Sequence, residues 1–280
     1  MKVSLIGAHG FIGSHVADRL RARNVDVIAR EKNAPPQPCD AAIHMLVMNE
    51  AGARAFVQDY ANRAERLILI SSADVYRAYG ILIGKDSDPA TSQPLIEDSP
   101  VRLSRFPYAD MPDYDKIPAE QAILASGSRN CVLRLPAVFG PRDKHHRLGS
   151  WMKQLEHPPV EMGQGYANWR WTHGYVEDVA EAIALAAATP ETPSRIYNVG
   201  ELDTPTMLER AKQWNQALGV GDPIRVVPQD TLPYNFKQDL VIDSTRIRTE
   251  LGFAEIVSAE DALERSIAWE VESGYARRPS

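Results

Sequence analysis

The chain opens with Lys2-Val-Ser-Leu-Ile-Gly7-Ala-His-Gly10-Phe-Ile-Gly13, the stretch that decides its fold. An apolar run over residues 3–6 breaks at glycines spaced G-x-x-G-x-x-G, and helical apolar spacing follows. Gly7 allows a tight turn, Gly10 lets backbone N–H groups approach a pyrophosphate, and Gly13 lets the helix pack on its strand. The stretch therefore predicts the phosphate-binding turn of a dinucleotide fold. Three neighbouring residues are assigned to the same site: His9, Phe11 and Ile12.

Composition is that of an ordinary globular protein and excludes several classes. The 280 residues are 44% hydrophobic and 24% charged, and the formal charge of −6 opposes a nucleic-acid binder. No run approaches the roughly 18 apolar residues of a membrane span. Cys39 and Cys131 are too few for a disulfide framework, which predicts a cytoplasmic protein. The histidines lack metal-ligand spacing, so no metal site is predicted.

Strands and helices alternate along the chain. The predicted strands are residues 3–6, 25–29, 41–45, 67–70, 131–135 and 196–199, and the predicted helices are 12–22, 51–62, 118–125 and 176–188. This order predicts an α/β fold with a doubly wound, Rossmann-type parallel sheet. Residues 1–147, joined by 172–200, are assigned to the dinucleotide-binding domain. Residues 148–171 and 201–280 are assigned to a smaller C-terminal substrate lobe.

The end of the second predicted strand bears on the choice of cofactor. An acidic residue there binds the ribose 2′-OH of NAD, whereas an arginine accommodates the 2′-phosphate of NADP. The strand ends with Arg30, Lys32 lies just beyond, and Asp26 comes too early, so no carboxylate is assigned to the tip. Arg30 therefore favours NADP, with NAD as the alternative, unless Arg30 is only a solvated charge. Met45 and Pro136 complete the predicted cofactor contacts.

Further motifs carry a resemblance to a known family. They are Gly7-x-x-Gly10-x-x-Gly13, Asp40-Ala-Ala-Ile-His44, Ser71-Ser-x-x-Val-Tyr76, Arg134-Leu-Pro-Ala-Val-Phe-Gly-Pro141, Thr172-His-Gly-Tyr-Val-Glu-Asp-Val179 and Tyr197-Asn-Val-Gly200. The chain resembles the extended short-chain dehydrogenases/reductases, the NAD(P)-dependent sugar epimerases and dehydratases. The resemblance covers nearly the whole length. It implies a nicotinamide cofactor and an enzyme that transfers hydride.

The resemblance also implies catalytic residues. Ser72 matches the serine that hydrogen-bonds the reacting substrate oxygen, and Lys116, followed by Glu120, matches the lysine of a Tyr-x-x-x-Lys pair. Pro112 occupies the tyrosine position, and the nearest tyrosine is Tyr114. Dehydratase-like members place an acidic group where this chain has Asp74, which is assigned as a second acid/base residue. The alternative reading of Asp74 is a cap of a turn or helix.

The spacing of Tyr114 and Lys116 has a geometric consequence. Residues i and i+2 lie about 160° apart around a regular helix, so these two cannot share a helical face. Pro118 favours the first turn of a helix, which would leave both residues in an extended approach where i and i+2 point the same way. Tyr114 then remains the predicted proton carrier. Other tyrosines are the alternatives: Tyr76, Tyr79 and Tyr108.

A second departure from the family lies between the second and third predicted strands. Residues 31–40 are too few for the additional strand and helix that relatives place there. We therefore expect a more open adenine side of the cofactor pocket.

Together these features predict an NAD(P)-dependent oxidoreductase or epimerase acting on a sugar-like or nucleotide-sugar substrate. Hydride would pass at a hydroxyl or carbonyl carbon held by Ser72, and a homodimer is expected because relatives often dimerise. The competing hypothesis, motivated by Pro112, is a catalytically impaired NADP-binding sensor or scaffold.

Overall fold

A computed structural model describes residues 1–31, 34–105, 112–127, 129–189 and 194–279. Its strands are β1 (Lys2–Ile6), β2 (Asp26–Arg30), β3 (Cys39–His44), β4 (Ala64–Ser72), β5 (Cys131–Leu135), β6 (Ala137–Phe139), β7 (Val160–Gly163), β8 (His173–Tyr175), β9 (Arg195–Asn198) and β10 (Ile224–Val227). Its helices are α1 (Phe11–Ala22), α2 (Glu50–Tyr60), α3 (Arg77–Leu82), α4 (Lys116–Ala125), α5 (Arg147–Gln154), α6 (Gln164–Asn168), α7 (Val176–Ala188), α8 (Met207–Leu218), α9 (Thr245–Leu251) and α10 (Ala259–Glu272). A 3₁₀ turn, Ala73–Val75, follows β4 directly.

The main sheet has six strands in the order β2-β1-β3-β4-β5-β9, and every pairing in it is parallel. The predicted doubly wound parallel fold is therefore confirmed. The strand order reverses between β1 and β3, and the carboxyl edge at such a switch point is where open α/β sheets bind ligands. Ser72, the last residue of β4, lies on this same edge.

Helices cover both faces of the sheet, which explains the continuous apolar runs of its strands. On one face, α1 and α7 pack over a core that includes Leu5, Ile43 and Ile68. On the other face, α2 and α4 cover Ile6 and Leu69. Each strand thus alternates its side chains between two buried layers.

Among the described residues the sheet ends at β2, with no strand beyond it. The short connection from β2 to β3 therefore adds no strand to the sheet among the described residues, and the more open adenine side of the cofactor pocket stays a prediction. Lys32, which the sequence analysis places beside Arg30, lies outside the described residues.

A second core lies in the C-terminal part of the chain. Trp151 from α5, Trp214 from α8 and Ile267 from α10 belong to one buried cluster. The two-stranded sheet β7–β10 contributes Val160 to it. The predicted lobe boundaries at 148–171 and 201–280 stay a prediction, although this cluster draws its residues from those two segments.

Candidate active site

The glycine turn between β1 and α1 has the geometry of a phosphate cradle. Gly7 adopts a φ of +92°, and its carbonyl accepts a 3.0 Å hydrogen bond from Gly10 N. A Cβ on Gly13 would lie 2.0 Å from the oxygen of Gly7, so only glycine permits this approach of helix and turn. A Cβ on Gly7 would lie 2.9 Å from the Cβ of Met45, which places Met45 beside the turn, while its contact with the cofactor stays a prediction.

Helix α1 begins at Phe11 and has Gly10 as its N-cap, with no side chain capping it. The first backbone N–H groups of a helix have no partner within the helix, and together with the helix dipole they favour an anion. Phe11, Ile12 and Gly13 form this first turn, so these residues fit the pyrophosphate of a dinucleotide. Their assignment to the cofactor stays a prediction.

Arg30, predicted to meet a 2′-phosphate, is held by protein groups. Its Nη2 lies 2.8 Å from Oδ2 of Asp59, and its Nε donates to the carbonyl of Ala34 at 2.7 Å. The guanidinium lies 5.5 Å from the ring centroid of Tyr60, and the side chain is only 9% exposed. A 2′-phosphate would have to compete with Asp59 for this arginine.

The expectation that no carboxylate lies at the tip of the second strand is wrong. β2 continues to Arg30, one residue beyond its predicted end, and Glu31 follows directly. A carboxylate oxygen of Glu31 lies 3.3 Å from Nε2 of His9, within the glycine turn, and both side chains are exposed. Glu31 therefore stands where an acidic residue meets the ribose 2′-OH of NAD.

Tyr114 and Asp74, two of the predicted catalytic residues, meet directly. The Tyr114 hydroxyl donates a 2.7 Å hydrogen bond to Oδ2 of Asp74, and both residues are buried. Ser72 Oγ accepts a 3.3 Å hydrogen bond from Asp74 N and caps the 3₁₀ turn. The Ser72 hydroxyl also faces the Tyr114 phenol. The structure thus brings together a serine, a carboxylate and a phenol at the end of β4.

Lys116 lies beneath this group. Its Nζ donates to the carbonyl of Ile70 at 3.1 Å and to that of Val47, and it lies 5.8 Å from the ring centroid of Tyr114. Helix α4 starts at Lys116, two residues earlier than predicted, because Asp115 caps it by accepting from Ile117 N. Tyr114 consequently lies outside the helix, as predicted, whereas the expectation that Lys116 also precedes the helix is wrong.

The alternative tyrosines differ in what they contact. Tyr76 is fully buried and donates from its hydroxyl to Oδ1 of Asn198 at 2.6 Å, and the Arg134 guanidinium lies over its ring. Tyr79 lies in α3, and Tyr108 lies outside the described residues. Tyr114, by contrast, hydrogen-bonds Asp74.

Burial sets the protonation of the two central groups. Burial and the neighbouring Asp74 carboxylate raise the pKa of the Tyr114 phenol far above its ordinary value, so this phenol is neutral at physiological pH. Burial lowers the pKa of Lys116 from 10.5 to about 8, against the opposing effects of Asp74 and Glu120. Lys116 is therefore mainly charged at neutral pH but titrates just above it.

A buried ion pair supports this arrangement from behind. Arg134 on β5 contacts the Glu120 carboxylate through Nη2 at 2.7 Å and Nε at 3.1 Å. Ser71 donates to the same carboxylate at 2.5 Å. Glu120 thus fastens α4 to β4 and β5, which orients Lys116 one turn earlier. Pro136 follows β5 at the same edge, where its Cγ lies 3.1 Å from the position of a Cβ on Gly174.

Two residues near the site were missed by sequence reasoning. Glu31 was overlooked although it stands directly between Arg30 and Lys32 in the sequence. Arg102, whose Nε donates to the carbonyl of Asp74 at 2.6 Å, belongs to no motif and has no sequence signal that would find it.

Two features are absent among the residues that the structure describes. No group of three or more His, Cys, Asp or Glu side chains there is arranged to hold a metal ion. No helix in that part of the chain combines the length and apolarity needed to cross a membrane.

The sequence profile of the NAD-dependent epimerase/dehydratase family matches residues 3–60 and 43–200 of this chain. The chain belongs to this family. The match includes the glycine turn, β4 with its carboxyl end, and α4. Membership confirms the family that the motifs indicate.

One characterised relative of this epimerase/dehydratase-family chain is a dTDP-glucose 4,6-dehydratase from Streptomyces niveus. The two are 35% identical over 108 residues, which is 38% of this chain and 30% of the relative. The matched region thus spans less than a third of that enzyme's length.

Solved structures share the fold over almost the whole chain. A dTDP-glucose 4,6-dehydratase from Streptomyces venezuelae with NAD bound has a TM-score of 0.71 at 19% identity and covers 100% of both chains. The UDP-glucuronic acid 4-epimerase of Bacillus cereus, with UDP-glucuronic acid and NAD, has a TM-score of 0.71 at 18% identity and covers 98% of this chain and 100% of its own. RMD from Pseudomonas aeruginosa, complexed with NADPH, gives 0.71 at 19% identity and covers 96% and 99%. At this identity the likeness establishes the fold.

Proposed function

We propose that this protein is a nicotinamide-dinucleotide-dependent oxidoreductase or epimerase acting on a sugar-like substrate, with a nucleotide sugar as the leading candidate. The observation that carries the proposal is the hydrogen bond from Tyr114 to Asp74, beside Ser72, at the carboxyl end of β4. The solved relatives with NAD, NADPH or UDP-glucuronic acid support the choice of ligands.

The glycine turn is the proposed site of the pyrophosphate. Gly13 lets α1 approach the turn, and the N-cap Gly10 leaves the helix N-terminus without a side-chain cap. Glu31 is proposed to accept a hydrogen bond from the adenosine ribose 2′-OH. Because Arg30 is already paired with Asp59, we propose NAD(H) as the preferred form. NADP(H), the form predicted from the sequence, requires Arg30 to leave Asp59.

A bound nicotinamide would accept a hydride from the substrate carbon or return one to it. Ser72 is proposed to donate a hydrogen bond to the reacting oxygen. Because its pKa is high, Tyr114 acts as a neutral relay, taking the substrate hydroxyl proton while passing its own proton to Asp74. Lys116, held by the carbonyls of Ile70 and Val47, is proposed to orient the nicotinamide ribose.

The test is a turnover assay with the wild-type protein. We expect incubation with NAD⁺ and a panel of UDP- and dTDP-sugars to yield an epimerised, 4-keto or oxidised product detectable by mass spectrometry and NMR. Binding of NADH without conversion of any sugar would favour the sensor or scaffold function. Absence of dinucleotide binding by calorimetry would overturn both functions.

A homodimer and a cytoplasmic location belong to the same proposal. An open groove of about 510 Å³ runs between α2 and α4, with Val57 and Ala122 among its lining residues. Two such faces can bury one another as a four-helix contact. Light scattering tests this assembly: a dimer that Ala122→Arg dissociates supports it, and a wild-type monomer contradicts it.

A further inference from the structure

The position of Tyr114 raises the question of what holds it against Asp74. In a Tyr-x-x-x-Lys pair one regular helix fixes both side chains on a common face. Here α4 begins only at Lys116, so the helix cannot fix Tyr114. Contacts outside the helix must do so, and one of them is a 2.8 Å bond from Asp115 N to the carbonyl of Met48.

Arg102 joins the two segments that carry the acid/base pair. Its side chain is fully buried, its Nε donates to the carbonyl of Asp74 at 2.6 Å, and its Nη1 donates to the carbonyl of Ser104 at 2.9 Å. Its Nη2 lies 3.9 Å from Oδ1 of Asp115. The Arg102 guanidinium therefore reaches both Asp74, which accepts the hydrogen bond from Tyr114, and Asp115, which follows Tyr114 in the chain.

The backbone around Arg102 makes this placement rigid. Arg102 N donates to the carbonyl of Val75 at 2.8 Å, and Arg77 N donates to the carbonyl of Pro100 at 2.9 Å. Val101 forms an antiparallel bridge with Tyr76. Residues 100–102 thus run beside the 3₁₀ turn that bears Asp74, and the arginine extends from this ladder towards α4.

We infer that Arg102 is a positioning residue that clamps the Asp74 turn to the N-cap of α4, so that Tyr114 and Asp74 stay within bonding distance while a buried cation faces them. This inference rests on the proposed function, in which those two residues move the substrate proton. It assigns a role to a residue outside every motif quoted above.

The charges around the phenol give the clamp a measurable signature. Among the described residues, the Tyr114 phenol is faced by Asp74 from the 3₁₀ turn, Ser72 from β4, Lys116 from α4 and Arg102 from the 100–105 segment. The Asp74 carboxylate raises the pKa of Tyr114, and the Arg102 cation lowers it. Asp115 is the carboxylate that faces the guanidinium itself. Loss of the Arg102 charge alone should therefore raise the pKa of the phenol further, whereas loss of the clamp should release the phenol from Asp74 and lower that pKa.

The experiment places 3,5-difluorotyrosine, whose phenol is more acidic than that of tyrosine, at position 114 and follows its ¹⁹F resonance against pH. In Arg102→Gln we expect the midpoint to rise by about one pH unit relative to the otherwise unchanged protein, as for loss of a nearby opposite charge. In Arg102→Met, which also loses the clamp, we expect a midpoint below that of Arg102→Gln. Arg66→Met is the matched control, because Arg66 is also buried and donates to the carbonyls of Ala187 and Thr189, near the opposite edge of the sheet. The control midpoint should not move.

Arg102→Gln is the second variant, since its amide keeps a donor for the Asp74 carbonyl and removes the charge. If Arg102→Met does not fold, the rise in Arg102→Gln carries the test. Equal midpoints with and without Arg102, a midpoint in Arg102→Met at or above that of Arg102→Gln, or an equal change in Arg66→Met would overturn the inference. The titration needs neither cofactor nor substrate, so its outcome is separate from that of the turnover assay.

Discussion

The phenol of Tyr114 donates a 2.7 Å hydrogen bond to Oδ2 of Asp74, although the two residues are 40 positions apart. The bond links the segment before α4 to the turn after β4. It places a phenol at the carboxyl edge even though Pro112 occupies the tyrosine position expected in the family. The hydroxyl is thus contributed from a new position in the chain.

We expect Tyr114→Phe to lower turnover by about 10²- to 10⁴-fold, the usual effect of losing a positioned acid/base group, while NADH affinity is retained. Asp74→Asn should have a similar effect because it removes the final proton acceptor. Steady-state kinetics and calorimetry on the same preparations measure the two quantities.

Tyr76→Phe is the matched control for this substitution. It leaves Oδ1 of Asn198 without its 2.6 Å donor, so it should cost about 1–3 kcal/mol of unfolding free energy but little turnover. Full turnover in Tyr114→Phe together with a large loss in Tyr76→Phe would reassign the proton carrier to Tyr76.

Cofactor preference is predicted to depend on Glu31 and Asp59. Wild type should bind NADH more tightly than NADPH, and Glu31→Gln should weaken NADH binding by roughly 10-fold or more because a charged hydrogen-bond acceptor is lost. Asp59→Asn should strengthen NADPH binding, since it releases Arg30 from its 2.8 Å partner. Calorimetric titration of the three proteins with both cofactors measures this. Tighter NADPH binding by wild type would instead support the sequence-based assignment of Arg30.

The glycine cradle gives a prediction with a built-in control. A Cβ at Gly13 would lie 2.0 Å from the Gly7 oxygen, so Gly13→Ala should push α1 away, cost about 1–3 kcal/mol and abolish dinucleotide binding. Gly52 lies within α2, and in Gly52→Ala the new Cβ would lie 3.5 Å from Asn49 Oδ1, an ordinary contact distance. That variant should gain about 0.5–1 kcal/mol and bind cofactor normally. Thermal melts and NADH titration separate the two, and normal binding by Gly13→Ala would contradict the cradle.

The fold could be read from the sequence because its signals are local. The apolar runs of β1 and β4, the glycine turn and the helical spacing of α7 each lie within a dozen residues, and together they specify a parallel sheet. The extended approach of Tyr114 could be anticipated for the same reason, since Pro118 and Lys116 are its neighbours.

The rest depended on contacts between distant segments. Arg30 looked available for a phosphate because its partner, Asp59, lies 29 residues away on α2. Arg102 could not be found because its role arises only when residues 100–102 pair with the turn after β4. Glu31 is a different case, because it directly follows Arg30 and its contact with His9 of the glycine turn appears only in the folded chain.

Lys116 should make stability depend on pH above neutrality. Burial lowers its pKa from 10.5 in an exposed chain to about 8 in the folded protein. Between these values the unfolded chain holds a proton that the folded protein has lost, so the free energy of unfolding rises with pH. This stability is fully present above the unfolded value and is lost as pH falls through about 8. At about 1.4 kcal/mol per pH unit, the rise amounts to about 3 kcal/mol.

Lys116→Met isolates this effect, because methionine fills a similar volume and does not titrate. Urea unfolding of both proteins at several pH values from 7.5 to 10.5 gives the difference in stability between them. We expect wild type to gain on the variant across that window, since Tyr76 and Cys131, whose buried groups have pKa values near 12, affect both proteins alike. Parallel pH profiles would mean that Lys116 keeps its proton throughout, and the ammonium would then be a permanent charge beneath Tyr114.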